Sequence, residues 1–527
     1  MKNSFLLLLA LAVGFVRADD ALSNLAQDAE VVEARTAVPR LKAAAAYEVK
    51  DNTVDVDISE YAGYAGLIVA NGGLAPNENS VFFKDHGFKV RLTLSEEDSW
   101  SGLNSGRMAA SVTTADVLPL YGQQLQAVVP ALIGFSRGAD GIVVRANIKT
   151  LNDLKGKTLA TAQFNEADFL IRFLAQQSGM DVNLLEGVDA KRDPNKINLI
   201  ATADSFGAGD FFLRDLMAGR NRVDGCVTWD PKTTEVVEAS GGKARLLMTN
   251  RNLLVVADIL LVNKGFAEKN PEILKGLVAG LLEGNRRVRE NPKPHVDLLA
   301  KALGWEKDEI EPELRKVHLA NLPENQDFFA GTLDAAGSYG YIYESSVQAY
   351  GGGLIPRPVP AERFLSLAAL EAVKAGGAFK NQRAEIKLIR TEESNLETPL
   401  LARDIRFLFQ ANSSELDFSN ANNLEDLKYM ANMLKISPGS TLLLRGHVDN
   451  ARVADFQKQG GPQLVQRMAM SAVKLSKERC DSVAKALTSR HPVDPARIES
   501  VGMGWREPLG NDMDQNRRVE VQWFTVE

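Results

Sequence analysis

The sequence predicts an α/β protein that ends in a small, separate α/β unit of βαβαββ order. Two observations predict the class. From residue 53 onward, short strand-like runs alternate with amphipathic helical runs, the pattern of parallel sheets covered by helices on both faces. A Gly/Pro-rich window at 349–363, "AYGGGLIPRPVPAER", then breaks the chain, and the alternation restarts near Ala384.

The elements follow in order. Residues 19–50 are rich in Ala, Asp, Glu and Lys without a strand pattern and read as a tether or a loose helix. "TVDVDIS" (53–59) and "FKVRLTL" (88–94) read as strands, the second followed by the loop "SEEDSW". "WSGLNSGRMAAS" reads as a helix, and "SVTTADVLPLYGQQ" as a strand end running into a helix. "ADGIVVRA" is a strand, "NIKTLNDLKG" a capped short helix and "KTLATAQ" a strand. "NEADFLIRFLAQQSGM" places Phe169, Leu170, Phe173 and Leu174 on one helical face closed by Gly179. "RVDGCVTWDP" and "ADILLVNKGFA" continue the alternation. After the Gly/Pro window a helix, "AERFLSLAALEAVKAG", belongs with it to a linker over 349–383. The last unit, 384–527, reads as strand "DIRFLFQ", helix "NLEDLKYMANMLK", strand "TLLLRGHV", a long helix from about Pro462, and strands "RIESVGMG" and "RRVEVQWF".

Composition excludes several functions. A net charge of −7 argues against nucleic acid and anionic lipid surfaces. Cys226 and Cys480 fall in different units and read as unpaired. The five histidines (86, 295, 318, 447, 491) make no metal-binding spacing, and no GxxxxGK phosphate loop is present, so no cofactor or metal is expected. At the start, Lys2, an apolar run from Phe5 to Val16 and then "VRA" form the pattern of a secretory signal peptide over 1–18, cut after Ala18. The run is short for a membrane span, although an uncleaved anchor helix is the alternative. No Cys follows it to take a lipid. The mature protein is expected to be exported, soluble and resident in the periplasm.

Residues 384–527 resemble the OmpA-like peptidoglycan-binding domain. "FLFQANSSELDF" (407–418), "GHVDN" (446–450), "LSKERCDSVAKAL" (475–487), "RIESVGMGWREP" (497–508) and "NRRVEVQ" (516–522) stand in the family's order. The resemblance implies that Asp449 holds the ammonium of a peptidoglycan diaminopimelate and that Arg479 forks onto its carboxylate, with Asn450 and nearby backbone N–H groups completing the bonds. Arg517 is a lesser candidate, since it and Arg518 are more often structural in such strands. Asp449 as a turn former and Arg479 as a solvated helix charge are the alternatives. The chain departs from the family where an Asn is replaced by Ala472, a Thr by Val448 and an Ala by Cys480. An insert of roughly four helical turns separates Asp449 from Arg479, which would return the same face to the pocket.

Residues 53–345 resemble periplasmic solute-binding proteins of the nitrate, sulfonate, taurine and thiamine-precursor group. The resemblance rests on "GFKVRLTLSEEDSWSGLNSGRMAAS", "DGIVVRANIKTLNDLKGKTLA", "DGCVTWDP" and "ILLVNKGFAEKNPEILKGLVAGL". It implies a two-lobed domain over 51–348, a hinge, ligand in the cleft and an ABC-type permease as recipient. Four loops that start helices, "YAGYAG", "EDSWSG", "TTADV" and "QFNEAD", offer Tyr61, Tyr64, Ser99, Trp100, Thr113, Thr114, Gln163 and Asn165, with Trp229 and Asp230 from a later strand end. Uncharged donors at helix N-termini suit a small anionic or zwitterionic solute such as a phosphate or sulfonate. No Arg cluster marks a dianion, and Asp116 disfavours one. Thr113, Thr114 and Asn165 as plain caps, and Tyr61 and Trp100 as lobe packing, are the alternatives. Two other functions stay open. One is a wall-linked scaffold that binds a partner protein. The other is an enzyme of the thiamine-precursor type, which shares this fold.

Overall fold

The computed structural model describes residues 30–95, 99–251, 253–330, 338–386, 401–410, 413–437, 439–510 and 512–524, leaving aside the side chains of Ser99 and Asp514. The expected signal peptide lies outside these residues. Among them, no helix is long and apolar enough to cross a membrane.

Two six-stranded sheets build two lobes. The first joins β1 (Thr53–Ile58), β2 (Lys89–Leu94), β3 (Ala110–Thr114), β4 (Ala127–Ser136), β11 (Ala257–Asn263) and β12 (Val317–Leu319) in the order β12-β4-β11-β3-β1-β2. The second joins β5 (Asp140–Arg145), β6 (Thr158–Ala162), β7 (Val182–Leu185), β8 (Ile197–Thr202), β9 (Gly225–Trp229) and β10 (Ala244–Thr249) in the order β10-β5-β9-β6-β8-β7. Helices cover both faces, so β3, β4, β6, β8 and β11 are buried along their whole length and read as apolar runs. The chain leaves the first lobe after β4 and returns at β11, so two strand connections form a hinge. Asn250 ties them together. Its Oδ1 accepts from Gly138 N at 2.9 Å and Asp140 N at 3.3 Å, and its Nδ2 donates to Asp140 Oδ2 at 3.1 Å.

The short helix Leu151–Leu154 carries the expected cap, with Thr150 and Asp153 exchanging side-chain and backbone bonds. The helix Glu166–Gln177 turns Phe169, Leu170, Phe173 and Leu174 into the core.

Two stretches depart from expectation. Residues 30–50 are neither a loose helix nor a free tether. They cross from the second lobe, where Val32 N donates to Ala201 O at 3.0 Å, to the first, where Ala45 N donates to Asn104 O at 2.9 Å and Tyr47 is buried. Residues 349–383 are not a linker either. Ser366 N donates to Val129 O at 3.2 Å beside β4, Phe364 and Leu370 are buried, and the helix Ala368–Ala375 lies against the helix Pro271–Glu290. A Gly/Pro cluster bends the backbone, but the apolar side chains that follow find a partner surface and dock.

The last unit has βαβαββ order. Its sheet, β13-β16-β14-β15, comprises β13 (Leu401–Ile405), β14 (Thr441–His447), β15 (Ile498–Gly504) and β16 (Val519–Phe524). Along β16, Val519, Val521 and Trp523 alternate inward. The helix Val453–Arg490 is interrupted at Gly461 (φ 62°), so a first stretch precedes the helix expected from Pro462. This unit packs on the second lobe and the hinge. Asn152 and Ala402 exchange bonds at 3.0 and 2.9 Å, and Leu254 N donates to Ile436 O at 2.8 Å.

Candidate functional site

A cavity of about 500 Å³ lies between the lobes, at the carboxyl ends of their strands. The first lobe contributes Asp57, Ile58, Tyr61 and Tyr64 from the end of β1 and the turn after it, Ser111–Thr114 from β3, and Trp100 and Tyr121. The second contributes Gln163–Glu166 after β6, Ala203, Asp204 and Phe206 after β8, and Trp229 from β9. The hinge region adds Asp140, Val256 and Asp258. Aromatic rings pair around the space: Tyr61 meets Tyr64 edge-on with centroids 5.4 Å apart, Trp100 meets Tyr121 at 4.8 Å, and Phe206 meets Trp229 at 5.8 Å.

Of the sequence-predicted residues, Tyr61, Tyr64, Trp100, Thr113, Thr114, Gln163, Asn165 and Trp229 line this cavity. The side chain of Ser99 lies outside the described residues. Asp230 departs from expectation and is absent from the wall. It accepts from Thr234 N at 3.1 Å and pairs with Lys316 Nζ at 2.7 Å, so it holds the first turn of the helix Lys232–Ala239 and ties it to Lys316. Gln163 is engaged by the crossing segment, accepting from Arg35 N at 2.7 Å and donating to Arg35 O at 3.1 Å. Asn165 is a helix cap that accepts from Asp168 N at 3.2 Å, yet it also faces the cavity. Thr114 makes no side-chain cap bond.

Sequence reasoning missed the carboxylates. Asp57, Glu60, Asp140, Glu166, Asp204 and Asp258 all line the cavity, against only Arg35 and Arg40, both exposed on the crossing segment. Tyr64 donates to Asp258 Oδ1 at 2.9 Å, and Ser95 Oγ donates to Asp57 Oδ2. Burial pushes the pKa of Asp140 up to about 6, and that of Asp258 well above the carboxylate range. Asp116, fully buried behind the wall, is pushed by burial to about 7. The signal was an Asp within otherwise apolar runs: "TVDVDI" and "ADILLV".

A second, smaller pocket of about 130 Å³ opens in the last unit, lined by Phe409, Gly446, His447, Ser476, Arg479 and Arg517 among others. A Cβ on Gly446 would stand 2.2 Å from Ser476 O, so glycine here lets the helix lie close to the sheet and brings Arg479 over the pocket. The Arg479 guanidinium carbon sits 5.0 Å from the centre of the Phe409 ring, and its buried Nε has no hydrogen-bond partner. Burial lowers its pKa, and the neighbouring Arg517 lowers it further, while Asp449 opposes both. Asp449 accepts from Ala451 N at 3.1 Å and lies 3.6 Å from Arg517. Asn450 contributes its carbonyl to Val453 N. Arg518 is structural, bonded to Asp404 at 3.0 Å. His447, Glu507 and Glu520 gather their donor atoms within 4.8 Å, but Arg445 already bridges the two glutamates at 2.8 and 3.1 Å.

Residues 73–294 match the family described as NMT1/THI5 like, and residues 408–522 the OmpA family. A Brucella abortus protein, provisionally named a binding protein, is 23% identical over 186 residues, 35% of this chain and 51% of the relative. The chain thus spans about half the length of the curated relatives it matches. Among solved structures, the periplasmic aliphatic sulphonate binding protein SsuA of Escherichia coli is 19% identical with a TM-score of 0.45, covering 61% of this chain and 100% of its own. The desulfurization enzyme DSZB is 14% identical with a TM-score of 0.40, covering 62% of this chain and 99% of its own. The match to the NMT1/THI5-like family falls within the two-lobed part of the chain, and the match to the OmpA family within the last unit.

Proposed function

We propose that this protein is an exported, wall-tethered solute-binding protein of the periplasm. It holds a small zwitterionic or anionic solute between its lobes and peptidoglycan in its last unit. The interlobe cavity carries the reading: loops from both lobes meet there at the carboxyl ends of their strands, and two crossings pinned by Asn250 allow the lobes to move about one hinge. Cys226, the nucleophile a catalytic reading would call on, is buried in β9 with its thiol pKa raised by burial, which favours binding. In the last unit, Arg479 with its unpartnered Nε suits a carboxylate, and Asp449 an ammonium. The bound solute would pass to an ABC-type permease.

The test is cosedimentation of the full chain with insoluble peptidoglycan. Asp449→Ala and Arg479→Ala should each release it, at a cost on the order of 2–5 kcal/mol for leaving one charge of a desolvated pair alone. Folded variants that still sediment like the parent would overturn the wall-binding part. A thermal-shift screen against small zwitterions and anions tests the cleft.

A further inference from the structure

We propose that the last unit doubles as a brace on the hinge. Docked by the carboxyl end of the helix Ala421–Ile436, it fixes the return crossing to the second lobe and narrows the range of lobe angles. This goes beyond the two binding readings and depends on neither ligand. The return crossing runs from Asn250 to Val256, between β10 and β11. Leu253, Leu254, Val255 and Val256 in it are 2% exposed or less. Leu253 N donates to Asn250 O and Val255 N to Leu253 O, both at 3.0 Å, and Ser136 N of the first crossing donates to Val256 O at 3.1 Å. The Leu254 amide instead leaves the crossing and donates to Ile436 O at 2.8 Å. Ile436 is fully buried at the end of its helix, where the last carbonyls have no partner within the helix. Arg497 takes those of Leu434 and Ser437 at 2.8 and 2.9 Å, and Leu254 takes that of Ile436. If the crossing slid along the unit, a buried donor and a buried acceptor would both lose their partner.

The same unit holds the second lobe. Asn152 and Ala402 exchange bonds at 3.0 and 2.9 Å, and the Tyr429 hydroxyl donates to Gln177 O. The Arg403 guanidinium lies over the Tyr429 ring, 4.6 Å from its centre, and a Cβ on Gly179 would stand 3.7 Å from Arg403 Nε. Crossing, last unit and second lobe therefore close a circuit. The crossing can turn only if the Leu254 contact slips or the unit moves off the second lobe. Both braced elements also reach the cleft. Val256, two residues beyond Leu254, lines the cavity, and the helix that ends at Gln177 is capped by Asn165 on its wall. A lobe movement that turns the crossing is then linked to docking, and whatever loosens the dock widens the range of lobe angles.

Spin-label distances between the lobes of the full chain, read beside hydrogen exchange at Leu254, decide it. Nitroxides go on Lys84→Cys in the first lobe and Glu238→Cys in the second, both exposed, while the buried Cys226 and Cys480 stay unlabelled. Tyr429→Lys removes the bond to Gln177 and sets a second cation beside Arg403 within the dock. In that variant the Leu254 amide should exchange at least about tenfold faster, and the distribution of lobe distances should broaden. Amides of β16 that stay protected show that the last unit is still folded. Asn152→Ala combined with Tyr429→Phe cuts the side-chain ties more gently and serves if the first variant does not fold. A freed Leu254 amide with lobe distances matching the parent's would overturn the proposal, because the lobes alone would then set the hinge. So would a Leu254 amide as protected as the parent's in the folded variant, because the crossing would then be held from elsewhere.

Discussion

Asp116 is fully buried, and burial lifts its pKa to about 7. Its free value is about 3.9. Between those pH values the unfolded chain has released a proton that the folded chain keeps, so stability falls as pH rises. Its contribution is whole below about pH 4 and lost as pH passes the folded value. Asp140, raised to about 6, acts in the same direction over the lower part of that window. Calorimetric Tm values should therefore drop between pH 4.5 and 7.5, and Asp116→Asn should flatten the drop by on the order of 1–4 kcal/mol. An unchanged slope would show that Asp116 does not keep its proton. At this scale the sequence was half legible. Tyr61, Thr113 and Asn165 could be found because a strand end and a helix start are local signals. Asp57 and Asp258 could not be paired in the same way. They reach the wall of one cavity because β1 and β11 both flank β3, a fact of sheet order that neither local stretch contains.

Helix Pro271–Glu290 shows what an element's pattern conceals. Its apolar face is plain from periodicity, but the closeness of its approach to helix Ala65–Asn71 is not. A Cβ on Gly284 would stand 1.9 Å from Gly66 O. That atom is backbone and cannot swing aside, so Gly284→Val should destabilise by about 3 kcal/mol, the upper end for overpacking. A urea midpoint lowered at constant slope is the expected reading; an unchanged midpoint would mean the helices can separate freely. The segment 349–383 shows the converse. Its Gly and Pro residues were visible, and they do bend the chain. Whether such a bend hangs free depends on Phe364 and Leu370 finding a home, and that home, beside β4, is built far upstream. The long helix was legible from Pro462 onward. The stretch from Val453 was not, because Gly460 and Gly461 mask its continuity.

For the whole molecule, the packed segments shift where the binding unit ends. A fragment of residues 51–348 lacks Phe364, Leu370 and the crossing segment, and so exposes apolar surface at both losses. It should melt at a lower temperature than a fragment of 30–386, with stronger binding of a hydrophobic dye; equal melting would mean those segments are passengers. The crossing segment has one more effect. It is pinned to the second lobe at Arg35 through Gln163 and to the first at Leu41, whose N donates to Gln124 Oε1 at 2.9 Å. About six residues span the gap, and an extended chain reaches only ~3.3–3.6 Å per residue. While both anchors hold, the rims beside them can part by no more than roughly 20 Å. The aperture then has a fixed ceiling: however far the hinge swings, the strap keeps these two rims within its own contour length of each other.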